Sequence, residues 1–69
     1  MIASRRRFHV SIDGRRYEVN AEAPPEVSDT RIRDVVSAYM TAKWGTDEYQ
    51  SAREALLAAV SDFSICAVN

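Results

Sequence analysis

From Arg7 to Ala21 the chain alternates apolar and polar residues on either side of a single Asp-Gly. Phe8, Val10 and Ile12 interleave with Arg7, His9 and Ser11, and Tyr17, Val19 and Ala21 interleave with Arg16, Glu18 and Asn20. A period of two marks half-buried strands, and Asp13-Gly14 between them marks a two-residue type I′ turn. The pattern therefore predicts a hairpin over 5–22 in which Ile12 faces Arg15, Val10 faces Tyr17, His9 faces Glu18 and Phe8 faces Val19. In this register both apolar sets share one face, which a slip of one residue would undo.

Pro24-Pro25 cannot continue a ladder, so a linker over 23–27 ends the hairpin. The apolar period then lengthens to that of a helix. Ser28 suits an N-cap with Asp29 in the first turn, and Val27 and Ile32 stand where a hydrophobic staple would close over it. Ile32, Val35, Val36, Tyr39, Met40 and Lys43 continue the stripe, Trp44 extends it, and Gly45 suits the residue after a helix, so the first helix is predicted over 28–44. Thr46 opens a second over 46–62, with Asp47 and Glu48 in its first turn and Tyr49, Ala52, Leu56, Val60 and Phe63 as its stripe. "FSICAV", residues 63–68, reads as a short third strand returning to the hairpin edge, with continuation of the helix through Ile65 as the rival. The expected architecture is α+β: an N-terminal hairpin with two helices on its apolar face, in the order ββααβ.

Sixty-nine residues suit one small domain over 1–69, whose core supplies only ~3–5 kcal/mol. A partner or a second copy would add to that. No apolar run approaches the ~18 residues of a membrane span, and the basic, apolar, small-residue order of a signal peptide is missing, so a cytoplasmic protein without a membrane partner is expected. A single cysteine, Cys66, precludes an internal disulfide framework, and with His9 the only histidine a structural zinc site lacks ligands. Eight arginines to one lysine, with ten alanines, associate the chain with a GC-rich bacterial or phage genome.

The net charge of −1 hides an asymmetry: residues 1–20 carry +3 and the remainder −4. The basic half is the hairpin. Arg5, Arg7 and Arg16 fall on its polar face, but Phe8 and Tyr17 fall on the other, so no ring is placed to stack a base beside them. Glu18 and Glu22 dilute the arginines further. A solvated face is therefore preferred to a nucleic-acid surface, with a β-ribbon in a DNA major groove as the alternative.

Candidate chemistry is sparse. Cys66 and His9 would have to meet to form a nucleophilic pair, and Cys66, flanked by Phe63, Ile65 and Val68, is expected to be buried and inert. Asp47-Glu48 reads as acids complementing a helix dipole. Gly14 and Gly45 are taken up by turn and cap, which leaves no phosphate-cradling loop, so no cofactor, small-molecule substrate or enzymatic activity is expected. The helix backs are smoother than solvation requires: Thr30, Asp34, Ser37, Ala38 and Thr41 on the first, Ser51, Ala55, Ala58 and Asp62 on the second. Faces this small let another chain approach closely. The first expectation is thus a non-enzymatic protein-binding module, as a homodimer or against a larger complex, of the inhibitor or adaptor type that phages and mobile elements encode. Its candidate contact residues are Asp34, Ser37, Ala38, Thr41, Ser51, Ala55 and Ala58, with Arg5, Arg7 and Arg16 on the hairpin. The alternative is a small DNA-binding regulator using those three arginines.

Overall fold

The computed structural model describes residues 3–68; of the expected 1–69 domain, Met1, Ile2 and Asn69 lie outside the described residues. Strands β1 (Ser4–Ile12) and β2 (Arg15–Ala23) are followed by helices α1 (Asp29–Thr41) and α2 (Asp47–Ala59) and by strand β3 (Asp62–Val68). The three strands form one antiparallel sheet in the order β1-β2-β3. This is the expected ββααβ arrangement, and the strand reading of 63–68 prevails over helix continuation.

The hairpin register is the one the alternation predicts, including Phe8 with Val19, Val10 with Tyr17 and His9 with Glu18. Its turn places Asp13 at φ 53° and Gly14 at φ 77°, the two positive angles that a type I′ turn requires. Strand β3 extends the same rows. The inner face carries Phe8–Val19–Ile65 and Val10–Tyr17–Ala67, and the outer face carries Arg5–Glu22–Asp62, Arg7–Asn20–Ser64, His9–Glu18–Cys66 and Ser11–Arg16–Val68.

Helix α1 begins where Ser28 accepts a hydrogen bond from the Arg31 amide at 3.0 Å. Its inward stripe buries Ile32, Val35 and Val36 against Val10, Val19, Ala21 and Ala23 of the sheet, and α2 adds Leu56 and Ala59. Ile32, Leu56, Val19 and Val36 are the largest fully enclosed side chains. A core so rich in Val and Ala, with the whole body only 16 Å through its thin axis, makes a two-layer slab. Tyr39 joins its parts, lying 5.3 Å from the Tyr49 ring on α2 and edge-on at 6.3 Å from Phe63 on β3.

Two helix ends differ from expectation. Helix α1 stops at Thr41, whose hydroxyl donates back to the Ser37 and Ala38 carbonyls (2.9 and 3.3 Å), and Ala42 turns extended. Lys43 and Trp44 therefore leave the stripe for a turn closed by the Thr46 amide to the Lys43 carbonyl, with Gly45 at φ 87°. Helix α2 stops at Ala59 rather than 62, because Val60 is already extended and Ser61 donates to the Glu22 carbonyl from both its amide and its hydroxyl (2.8 and 3.1 Å). That anchor starts β3 at Asp62, so Phe63 enters the core from a strand and Asp62 sits on the sheet instead of a helix back.

Candidate functional site

The five arginines of the hairpin separate into different roles. Arg6 shares the inward phase of Ser4, Phe8 and Val10, opposite the small Ala21, and its side chain is only 12% exposed. One terminal nitrogen donates to the Val27 carbonyl (2.7 Å) and to Asp29 (2.8 Å), the other to the Pro24 carbonyl (2.9 Å), and Nε to the Ser4 hydroxyl (3.1 Å). A planar fork with fixed donors suits this cluster of acceptors. Arg6 therefore pins the linker and the first turn of α1 to the sheet, a role that sequence reading missed. The signal lay in its phase, since it alternates with its neighbours as a core residue does.

On the outer face Arg5 pairs with Glu22 at 2.7 Å, Arg7 donates to Asn20 at 3.2 Å, Asn20 donates to Glu18 at 3.3 Å, and His9 lies 3.8 Å from Glu18. Strand β3 brings Asp62 to the same face. Arg5 is thereby ion-paired and Arg7 is held by Asn20, whereas Arg16 stands opposite Val68. Glu18, Glu22 and Asp62 share this face with the three arginines, and Phe8, Tyr17 and Phe63 all turn inward.

Cys66 is exposed, contrary to the burial expected of it. Its register opposite Glu18 fixes it in the outward phase, while Phe63 and Ile65 take the inward one. His9 lies in the same row, but β2 stands between them. Two strand spacings amount to roughly 9.6 Å, too far for a direct thiol–imidazole hydrogen bond. No group of three or more metal-ligating side chains occurs among the described residues, and no described helix is long and apolar enough to cross a membrane.

The helical layer holds a concavity that joins expected contact residues from both helices. A shallow cleft of about 560 Å³ runs between the end of α1 and the start of α2, lined by Ala38, Thr41 and Ala42 from one side and Asp47, Glu48, Ser51 and Ala52 from the other. It forms because α1 ends early and the five-residue connection returns α2 beside it, with only small side chains to fill the seam. Ala38, Thr41 and Ser51 were among the expected contacts and are brought together here. Asp34, Ser37 and Ala58 lie on the helix surfaces outside the lining, and Ala55 departs from expectation: it is half-buried and packs against the core.

Trp44, the single tryptophan, is 81% exposed in the connecting turn. It borders an adjoining hollow with Thr46, Tyr49, Gln50 and Arg53 that shares Asp47 with the cleft. Asp47 and Glu48 do occupy the first turn of α2, after the Thr46 cap that accepts from the Tyr49 amide. Nearby, the Tyr49 hydroxyl is held above the ordinary tyrosine range, chiefly by its 3.2 Å hydrogen bond with Tyr39, then by burial and by the Tyr39 charge, with Arg53 opposing. The chain matches no protein-family model, no curated protein and no solved structure.

Proposed function

We propose that the chain is a non-enzymatic protein-binding module that engages its partner through the cleft between α1 and α2. The observation that carries the reading is the lining: three alanines, a serine and a threonine beside two carboxylates, with no cation among them. A floor of small side chains accepts an inserted apolar group at close range, and the acids Asp47 and Glu48 favour a basic residue beside it. In the adjoining hollow Trp44 supplies the type of exposed aromatic that anchors interfaces. The partner segment is therefore an apolar side chain flanked by Lys or Arg.

The alternative, a DNA-binding regulator working through Arg5, Arg7 and Arg16, finds less support. A face that carries Glu18, Glu22 and Asp62 among its three arginines gains little from counterion release on a phosphate backbone. Affinity capture from the source cell with wild type, Ala38→Arg and Arg7→Glu as baits separates the two. Proteins retained by wild type and Arg7→Glu but lost by Ala38→Arg are expected. Nuclease-sensitive capture, lost by Arg7→Glu and kept by Ala38→Arg, would transfer the function to the hairpin.

A further inference from the structure

Both outer strands of the sheet have one unpaired edge, and the two edges are unlike. Strand β1 carries Arg5, Arg6 and Arg7 in succession, charges that discourage pairing. Strand β3, Asp-Phe-Ser-Ile-Cys-Ala-Val, has no charge after Asp62 and no proline or glycine, and among the described residues it pairs only with β2. An uncharged, regular edge of this kind is a template for another strand.

We infer that the occupant is a second copy of this chain, joined β3 to β3 across a two-fold axis at Ile65 to give a continuous six-stranded sheet. The charges favour this occupant. In a single copy, Asp62 at one end of β3 stands beside Glu22, whose carboxylate is taken by Arg5, and makes no ion pair of its own, while at the other end Arg16 stands beside Val68 with no carboxylate ion pair among the described residues. Ile65 is the midpoint of the seven-residue strand, so antiparallel self-pairing about it overlaps all seven residues and exchanges the ends. The outer row then reads Arg16, Val68, Asp62 of the second copy, Glu22 of the second copy, and the same in reverse. Each lone arginine can extend over a valine toward the carboxylates of the other copy, twice per dimer. On the inner face Ile65 meets its own counterpart and Phe63 meets Ala67, which is exposed in the single copy.

The register also says what the dimer is not. Cys66 faces Ser64 of the second copy, and the two Cys66 Cα atoms stand about 8 Å apart by strand geometry, beyond the ~7 Å that a disulfide spans. Association is non-covalent and indifferent to reductant. A seven-residue edge is smaller than a standard interface, so the affinity is expected in the micromolar range. The surface is distinct from the α1–α2 cleft, and the inference does not rest on the function proposed there.

Sedimentation of the full chain in reductant, from about 5 μM to about 1 mM, tests it. A monomer–dimer equilibrium is expected for wild type and a monomer throughout for Ser64→Lys/Cys66→Lys, which sets lysines against each other across the axis while each gains Asn20 or Glu18 as a neighbour within its own sheet. Asp62→Arg should weaken association about tenfold without lowering monomer stability, since it places a cation beside Glu22, which excludes misfolding as the cause. Combined with Arg16→Glu it should recover to within about threefold of wild type. A wild-type chain monomeric at about 1 mM, a dimer abolished by reductant, or a dimer unmoved by the lysine pair would each overturn the inference.

Discussion

The outer face of the sheet and the cleft between the helices are both open to solvent, yet their side chains are spent differently. On the sheet Arg5, Arg7, Glu18, Asn20 and Glu22 are engaged with one another, so a ligand there would have to break existing pairs before making its own. In the cleft the alanines have no reach, and the acids make no ion pair among the described residues. A surface satisfied within itself gains little by binding, whereas a concavity lined by short side chains is completed by something from outside.

The largest expected effect is on binding. Ala38→Arg should lower affinity for a captured partner about 100-fold by placing a long side chain in the seam, and Trp44→Ala about tenfold or more, while Arg7→Glu changes it less than about threefold. Surface plasmon resonance with the recovered partner reads all three. The fold itself should tolerate Ala38→Arg within about 0.5 kcal/mol, so loss of binding will not reflect unfolding.

Next comes the contrast between arginines one residue apart. Arg6→Ala leaves the Val27 carbonyl and Asp29 without their donor and the Pro24 carbonyl with the Val27 amide alone, a loss of about 2–3 kcal/mol, which is most of what a chain this size has. Arg7→Ala removes one exposed hydrogen bond and should cost at most about 0.5 kcal/mol. Urea melts of the two variants check this directly.

A smaller effect concerns pH. Because Tyr49 in the folded chain holds its proton more tightly than an ordinary tyrosine, the unfolded chain ionises first as pH passes about 10. The stabilisation is complete below that value and is lost as pH climbs through the folded-state pKa. Wild type should lose more stability than Tyr49→Phe as pH is raised above about 10 in denaturant titrations. The smallest contrast is kinetic: Cys66, being exposed, should alkylate in native protein within about threefold of its rate in denaturant.

The strands were legible because alternation, Asp13-Gly14 and Pro24-Pro25 agree on one register, each reporting on local backbone geometry. The α1 end was not, because its terminator is the Thr41 hydroxyl returning to its own helix, and threonine also sits within helices. The start of β3 was displaced by Ser61 bonding to Glu22, a contact across 39 residues that no window shows. Cys66 was misplaced although its alternation was read correctly: its neighbours in sequence are apolar, but its neighbours in space are Glu18 and the outer row. Helix periodicity places Ala38, Thr41 and Ser51 on the surfaces that line the cleft, whereas Ala42, Asp47, Glu48 and Ala52 join it only through the angle between two helices, which periodicity does not encode.

The most direct test of the account is site-specific photocrosslinking in the source cell, with a benzophenone amino acid at Ser51 in the cleft or at Ser11 on the outer sheet face. Both residues are exposed, so each carries the probe without disturbing the core. A discrete protein adduct is expected from Ser51 and none from Ser11. An adduct from Ser11 alone, to protein or to nucleic acid, would contradict it.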